Sequence, residues 1–254
     1  MSLNSRPLIH EIEQYWTRRA ESYSDVIQFE MTHKNEAAWM DVIVHELPRS
    51  RYPKILDIGT GPGFFAIGLA KRGYQVTAVD YTQAMLEEAM QNSGDYRNCI
   101  RFRRMDAHHL DFPDESFDAI VTRNLTWNLE QPQKAYADWS RVLRPGGRLL
   151  NFDAGWYSYL FDDEKACAFE RDRSNVVEQG VFDYNGYSES AVMENISKNL
   201  ILSRCKRPES DVRMLENAGF QSIAVDRHIG ESVWDEVEKI NYESTPMFMI
   251  CAEK

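Results

Sequence analysis

Four short stretches combine residue types and spacings that could do chemistry. In ILDIGTGPGFFAIGLA, residues 55–70, Asp57 is followed at alternate positions by Gly59, Gly61 and Gly63, with Thr60 among them. Glycines in such a turn accept unusual dihedrals and let a ligand approach the backbone closely. In VTAVDYTQAMLEEA, Asp80 closes an apolar run, and Tyr81 and Met85 follow. A carboxylate only accepts hydrogen bonds, so Asp80 can take both hydroxyls of a ribose. MDAHHLDFPD holds Asp106, Ala107, His108 and His109, and TRNLTWNL holds Arg123, Asn124, Trp127 and Asn128. Either histidine could act as a general base near neutral pH. The alternative for neighbouring loop histidines is one exposed ring and one packed ring.

Two ligand classes compete for the glycine turn. A dinucleotide fingerprint runs G-x-G-x-x-G, with pyrophosphate on the helix N-terminus. Counted from Gly59, its third glycine falls at position 64, which is Phe64. The spacing found is D-x-G-x-G-x-G. Asp57 would repel a pyrophosphate, whereas it suits a ligand bearing an ammonium and a sulfonium, as S-adenosylmethionine does. Asp80 fits either nucleotide, and its other reading is a strand-end aspartate capping the following helix.

These residues need elements that bring several strand ends together. From Lys54 the rhythm alternates: KILDI as strand, FFAIGLAKRG as helix, QVTAVD as strand, AMLEEAMQNSG as helix, then CIRFRRM and FDAIVTR as strands, QKAYADWSRVL as helix and GGRLLNFD as strand. Pro62 is expected near the first position of the helix after the glycine turn. Five strands with helical crossovers imply a doubly wound, mostly parallel α/β sheet, with its ligand at the carboxyl ends of the strands. Ahead of it, LIHEIEQYWTRRAESY and a second amphipathic stretch from Glu30 through Leu47 predict a helical cap. Beyond Asp153 the pattern becomes aromatic and irregular, with short helical stretches in DDEKACAFERDR and ESAVMENISKNL. PESDVRMLENAGF then reads as a helix, and SIAVDRHIG and PMFMICAEK as closing strands of an antiparallel edge, joined by a loop, GESVWDEVEKINYEST. The expected organisation is one domain: a helical cap at 1–53, a binding core at 54–154, an inserted lid at 155–205 and the end of a seven-stranded core at 206–254.

ILDIGTGPGFFAIGLA, VTAVDYTQAMLEEA, RRMDAHHLDFPDESFDAIVTRN and WSRVLRPGGRLLNFD resemble, in order, the motifs of class I S-adenosylmethionine-dependent methyltransferases. The branch they resemble is the small-molecule group that includes ubiquinone/menaquinone C-methyltransferases, and the resemblance spans about residues 54–153. It implies a Rossmann-like methyltransferase fold and S-adenosylmethionine as cofactor. Asp57, Gly59, Thr60, Gly61 and Gly63 would then line the methionine part and Asp80 the ribose. Tyr81 and Met85 would flank the adenine, and Asp106 and Ala107 would receive its amino group and ring edge. Arg123 and Asn124 would face the methionine ammonium. YWTRRAESY resembles the family's entry segment, with Trp16, Ala20 and Tyr23 at matching places, and Tyr23 would reach the carboxylate end.

The acceptor side is left to His109, Asn124 and Trp127 as catalytic candidates, with Trp127 equally readable as packing beneath the lid. Methyl transfer from a sulfonium is an in-line displacement, so positioning and exclusion of water dominate. TRNLTWNL lacks the N/D-P-P-Y/F of amide or exocyclic-amine methylation, and no aspartate there would seat a magnesium ion. Trp156, Tyr157, Tyr159, Tyr184 and Tyr187 in the lid either wall a substrate pocket or form the lid's own small core. Enclosure by cap and lid favours a small-molecule acceptor; alternatives are a protein methyltransferase and a non-catalytic binder of the nucleotide.

Composition narrows the rest. With 40 acidic against 29 basic residues the chain is a poor partner for nucleic acid. Four scattered cysteines without a CxxC pair point to a reducing compartment and to no metal site. The start, MSLNSRPLIHEIEQYW, is too polar for a signal peptide, and no apolar stretch reaches the ~20 residues of a membrane span. A cytoplasmic protein is expected.

Overall fold

The structure, a computed structural model, describes residues 8–33, 36–187 and 189–254. Residues 1–7, which carry the expected start of the cap and part of the leader argument, lie outside the described residues. Two helices come first, α1 (Leu8–His33) and α2 (Glu36–Glu46). The alternating core follows as β1 (Lys54–Ile58), α3 (Phe64–Lys71), β2 (Gln75–Asp80), α4 (Gln83–Asn92), β3 (Ile100–Arg104), β4 (Phe117–Arg123), α5 (Pro132–Val142) and β5 (Leu143–Asp153). Beyond it lie α6 (Asp163–Gln179), α7 (Ser190–Ser197), α8 (Ile201–Arg204), α9 (Glu209–Asn217), β6 (Gln221–Asp226), α10 (Ile229–Val233), α11 (Glu236–Asn241) and β7 (Phe248–Glu253).

The strands form one seven-stranded sheet in the order β3-β2-β1-β4-β5-β7-β6, parallel except for β7, which runs antiparallel to both neighbours. β1 and β4 are buried along most of their length because both sheet faces are covered. Trp39, Phe65 and Phe152 centre the core on one face; Tyr136, Trp139 and Leu149 belong to the core on the other. Successive crossovers reverse direction between β1 and β4, the switch point where such sheets open a crevice.

α1 lies along α4 and is tied to the glycine turn through Asn92, which donates to Ser24 Oγ at 2.9 Å and to the Pro62 carbonyl at 3.0 Å. The segment after β5 packs onto α1 through Tyr15, Trp127, Met193, Ile196 and Leu200. No helix among the described residues is long and apolar enough to cross a membrane.

Three expectations need correction. The first helix runs further than expected: α1 reaches His33, past the Glu30 start expected for the second stretch, and α2 is described from Glu36. Pro62 lies outside α3, which opens at Phe64 behind a left-handed Gly63 (φ 96°). The loop expected between the closing strands contains α10 and α11, and β7 inserts between β5 and β6, leaving β6 alone at the edge. Asp235 begins α11 with a capping box: its side chain accepts from Glu238 N while the Glu238 carboxylate accepts from Asp235 N. That D-x-x-E pattern was available in the sequence.

Candidate active site

The glycine turn is held by two carboxylates. Asp57, only 2 % exposed, accepts from Thr60 Oγ1 at 2.7 Å and from Ala66 N at 3.1 Å. Ala66 is in the first turn of α3, so this carboxylate already sits on the helix N-terminus, where a pyrophosphate would bind. Burial pushes the Asp57 carboxyl up to about 7, against the pull of both donors. Asp80 accepts from Gly61 N at 2.9 Å and Thr82 N at 2.8 Å, and each oxygen keeps a further lone pair. Burial raises its pKa as well. Asp80 thus clasps the glycine turn and Thr82, the residue ahead of α4, and it also lines a cavity.

Around this turn lies a cavity of about 110 Å³ at the carboxyl ends of β1, β2 and β4. Ten of the expected cofactor residues line it: Tyr23, Gly59, Gly61, Asp80, Tyr81, Met85, Asp106, Ala107, Arg123 and Asn124. Asp57 and Thr60 instead border an adjoining recess of about 40 Å³, together with Tyr23 and Arg123. Gly63 lines neither; its absent side chain makes room for Ile67 and Ala89, 3.0 and 3.2 Å from where a Cβ would stand.

His108, not His109, turns inward. Its Nδ1 lies 2.6 Å from Asp106 Oδ1 and its Nε2 accepts from Gln131 N at 3.2 Å, which makes the ring a clip between two loops. Partial burial pushes the Asp106 carboxyl up, but the ring and backbone N–H of His108 outweigh it and hold the pKa below its ordinary value. His109 is exposed and is absent from the walls of this cavity, its adjoining recess and the chamber beyond Tyr23, so the structure gives it no support as a base candidate.

A second chamber, about 320 Å³, opens on the other side of Tyr23. All five aromatics expected in the lid, Trp156, Tyr157, Tyr159, Tyr184 and Tyr187, line it; Tyr157 meets Tyr159 and Tyr187, while Trp156 and Tyr184 pack on Tyr242. Trp127 also lines it, with its backbone N–H on Asp153 Oδ2 at 2.9 Å and its indole N–H on the Asn124 carbonyl at 2.9 Å. Among the described residues, only Trp16, Tyr23, Arg123 and Asn124 line both this chamber and the cavity at the strand ends. Asn124 holds a left-handed φ of 54°, and its buried Oδ1 has no partner among the described residues.

Arg123 sits at this boundary between the Trp39 and Phe64 rings, 4.4 and 4.6 Å from their centroids, and pairs with Glu30 at 2.6 Å. Burial would lower its pKa, but Glu30 outweighs burial and raises it. A guanidinium here suits an anionic group, not the ammonium expected opposite residue 123. Sequence reasoning missed Glu30, Trp234, Glu238 and Tyr242 in the chamber wall. Three of these come from the segment expected to be a loop, and its capping box was the available signal.

Residues 56–151 match a family model described as a methyltransferase domain. Among curated proteins, the demethylmenaquinone methyltransferase of Deinococcus radiodurans is 40% identical over 116 residues, 45% of this chain and 46% of the relative. The chain spans about half the length of the curated relatives it matches. Among solved structures, phosphoethanolamine N-methyltransferase 2 of Haemonchus contortus, in complex with phosphomonomethylethanolamine and S-adenosylhomocysteine, aligns with TM-score 0.64 and 17% identity over 95% of this chain and 60% of that one. A Thermotoga maritima methyltransferase described as a possible histamine N-methyltransferase aligns with TM-score 0.59 and 19% identity, over 95% and 99% of the two chains. Residues 56–151 therefore match a methyltransferase domain, and the sheet that holds them has the Rossmann-like fold of the aligned solved methyltransferases.

Proposed function

We propose that this protein moves a methyl group from S-adenosylmethionine, seated in the cavity at the strand ends, to a small molecule held in the aromatic chamber. The observation that carries this reading is the shared boundary: Trp16, Tyr23, Arg123 and Asn124 line both spaces, so a group bound in one can face a group bound in the other. When bound, the cofactor supplies an electrophilic methyl on a sulfonium. The residues present fit it. Asp80 has lone pairs left for ribose hydroxyls, and Val79, Met85, Met105 and Leu129 offer apolar walls for a base. Asp106 and Ala107 lie along the same cavity, and the buried Oδ1 atoms of Asn124 and Asn128 lack partners among the described residues, as acceptors awaiting a donor do. Tyr23 and Arg123 would take the carboxylate end in the small recess, with Asp57, Thr60 and the glycine backbone around the methionine.

The chain's part in the reaction is to position and to exclude water. Trp127 and Asn124 stand on the acceptor side; no histidine lines the chamber, and we assign no general base. The chamber's rings suit an acceptor with an apolar or aromatic body. A flat ring system like that named for the Deinococcus relative fits this description. However, Trp156, Tyr184, Trp234 and Tyr242 all lie outside the matched domain, so the acceptor is this chain's own property. Enclosure by α1 and the segment after β5 disfavours a protein surface or nucleic acid as substrate. The free cysteines, two of them exposed, fit a reducing compartment such as the cytoplasm.

Calorimetry tests the reading. S-adenosylhomocysteine should bind and NAD should not; binding of NAD alone would end it. Asp80→Ala should weaken S-adenosylhomocysteine by roughly ten- to a hundredfold, the ~1.5–3 kcal/mol of hydrogen bonds to a charged group. Labelled methyl donor incubated with a metabolite extract should place its label in a small soluble product.

A further inference from the structure

We infer that Asp153 is a positioning residue for methyl transfer: one buried carboxylate sets the places of two tryptophans in the acceptor chamber and, through one of them, of Asn124 at its boundary. This rests on the methyl-transfer reading above. Asp153 closes β5 and is fully buried. Its Oδ2 accepts from Trp127 N at 2.9 Å and from the Thr126 hydroxyl, and its Oδ1 accepts from Trp156 Nε1 at 3.0 Å and from Ala154 N at 2.8 Å. Trp127 in turn donates its indole N–H to the Asn124 carbonyl.

These contacts form a chain of constraint from the sheet to the reaction site. Trp156 packs edge-on against Tyr242, with centroids 5.1 Å apart, and Trp127 lies 5.0 Å from Tyr157, so each indole anchors a different aromatic cluster of the chamber wall. Asn124 stands in a left-handed conformation, which asparagine tolerates better than other non-glycine residues. The Trp127 indole, on its carbonyl at 2.9 Å, holds it there. The carboxylate itself cannot drift, because Arg207 holds it at 3.2 Å and is held by Asp211 at 2.8 Å and by the Ala154 carbonyl at 2.9 Å. Asp153 lines neither cavity, so it acts through the tryptophans.

The alternative is that Asp153 merely holds the fold together, and the two roles separate by readout. Asp153→Asn keeps the side chain's shape but turns one acceptor into a donor, which cannot serve its present partners. In protein carrying 5-fluorotryptophan, the fluorine resonances of Trp127 and Trp156 should shift, while S-adenosylhomocysteine affinity falls much less than transfer does, because Asn124 alone among the cofactor residues depends on Trp127. Label transfer into a metabolite extract should fall about tenfold or more, as misplacement near reacting atoms does. Trp156→Phe, a milder change that keeps a ring, should cost less alone and nothing further in the Asp153→Asn background. Wild-type transfer by Asp153→Asn, loss of nucleotide affinity in step with transfer, or fully additive losses would each overturn the assignment. If wild-type protein failed to bind S-adenosylhomocysteine, the methyl-transfer reading itself would fall, whatever the fluorine spectra showed.

Discussion

Asp57 shapes its turn and occupies the helix start that a phosphate would favour. Its carboxylate caps the first turn of α3 and braces Thr60, so the position favoured by phosphate is taken by a group of the same sign. Burial carries its pKa from 3.8 to about 7, so the folded protein holds a proton there that the unfolded chain has lost. The stabilisation from that proton is present at low pH and fades as pH rises from 3.8 towards about 7. Asp57→Asn keeps an acceptor for Thr60 and Ala66 without the titration. The melting temperature of the variant should therefore fall less than that of the wild type between these pH values. Parallel curves would show that Asp57 does not titrate there.

Among the elements, α11 is short and yet supplies Glu238, with Tyr242 just beyond its end, to the acceptor chamber. A six-residue helix has little cooperativity of its own, so its termini matter. Asp235→Ala removes the cap, at a cost of about 1 kcal/mol. It is expected to lower label transfer into the metabolite extract more than it lowers S-adenosylhomocysteine affinity, because α11 touches the chamber and not the nucleotide cavity. Equal losses in both measurements would place α11 outside acceptor binding. α1 differs: Ile9, Ile12, Trp16 and Tyr23 line the nucleotide cavity, and Tyr15, Trp16, Arg19 and Tyr23 line the chamber, so one long helix closes both spaces.

At the scale of the molecule, Arg207 joins parts that are far apart in the chain. It meets Asp153 at the end of β5, the Thr126 hydroxyl after β4 and Asp211 in α9, while the Tyr136 hydroxyl of α5 donates to Asp211 at 2.6 Å. Burial acts to lower the guanidinium's pKa, but Asp153 and Asp211 outweigh it and raise it well above the ordinary value. Arg207→Met would leave two buried carboxylates uncompensated. The expected loss is about 3–5 kcal/mol, or roughly 10 °C in melting temperature for a chain of this size. A shift of only a degree or two by scanning calorimetry would mean that the network contributes little to stability.

Local pattern alone determined the alternation of strands and helices from Lys54 to Asp153, the glycine turn and the strand-end Asp80. These features recur with the period of the backbone or sit at fixed offsets from it, so neighbours in sequence suffice to reveal them. The acceptor chamber was not legible in that way. Tyr23, Glu30, Trp127, Trp156, Trp234 and Tyr242 converge from four places along the chain, and an aromatic residue reads the same whether it packs or lines a cavity. Nor could spacing decide which of His108 and His109 faces inward, because a loop imposes no period on side-chain direction. The insertion of β7 between β5 and β6, and the meeting of Asp153 with Arg207, follow from sheet order and long-range burial, which only the folded chain fixes.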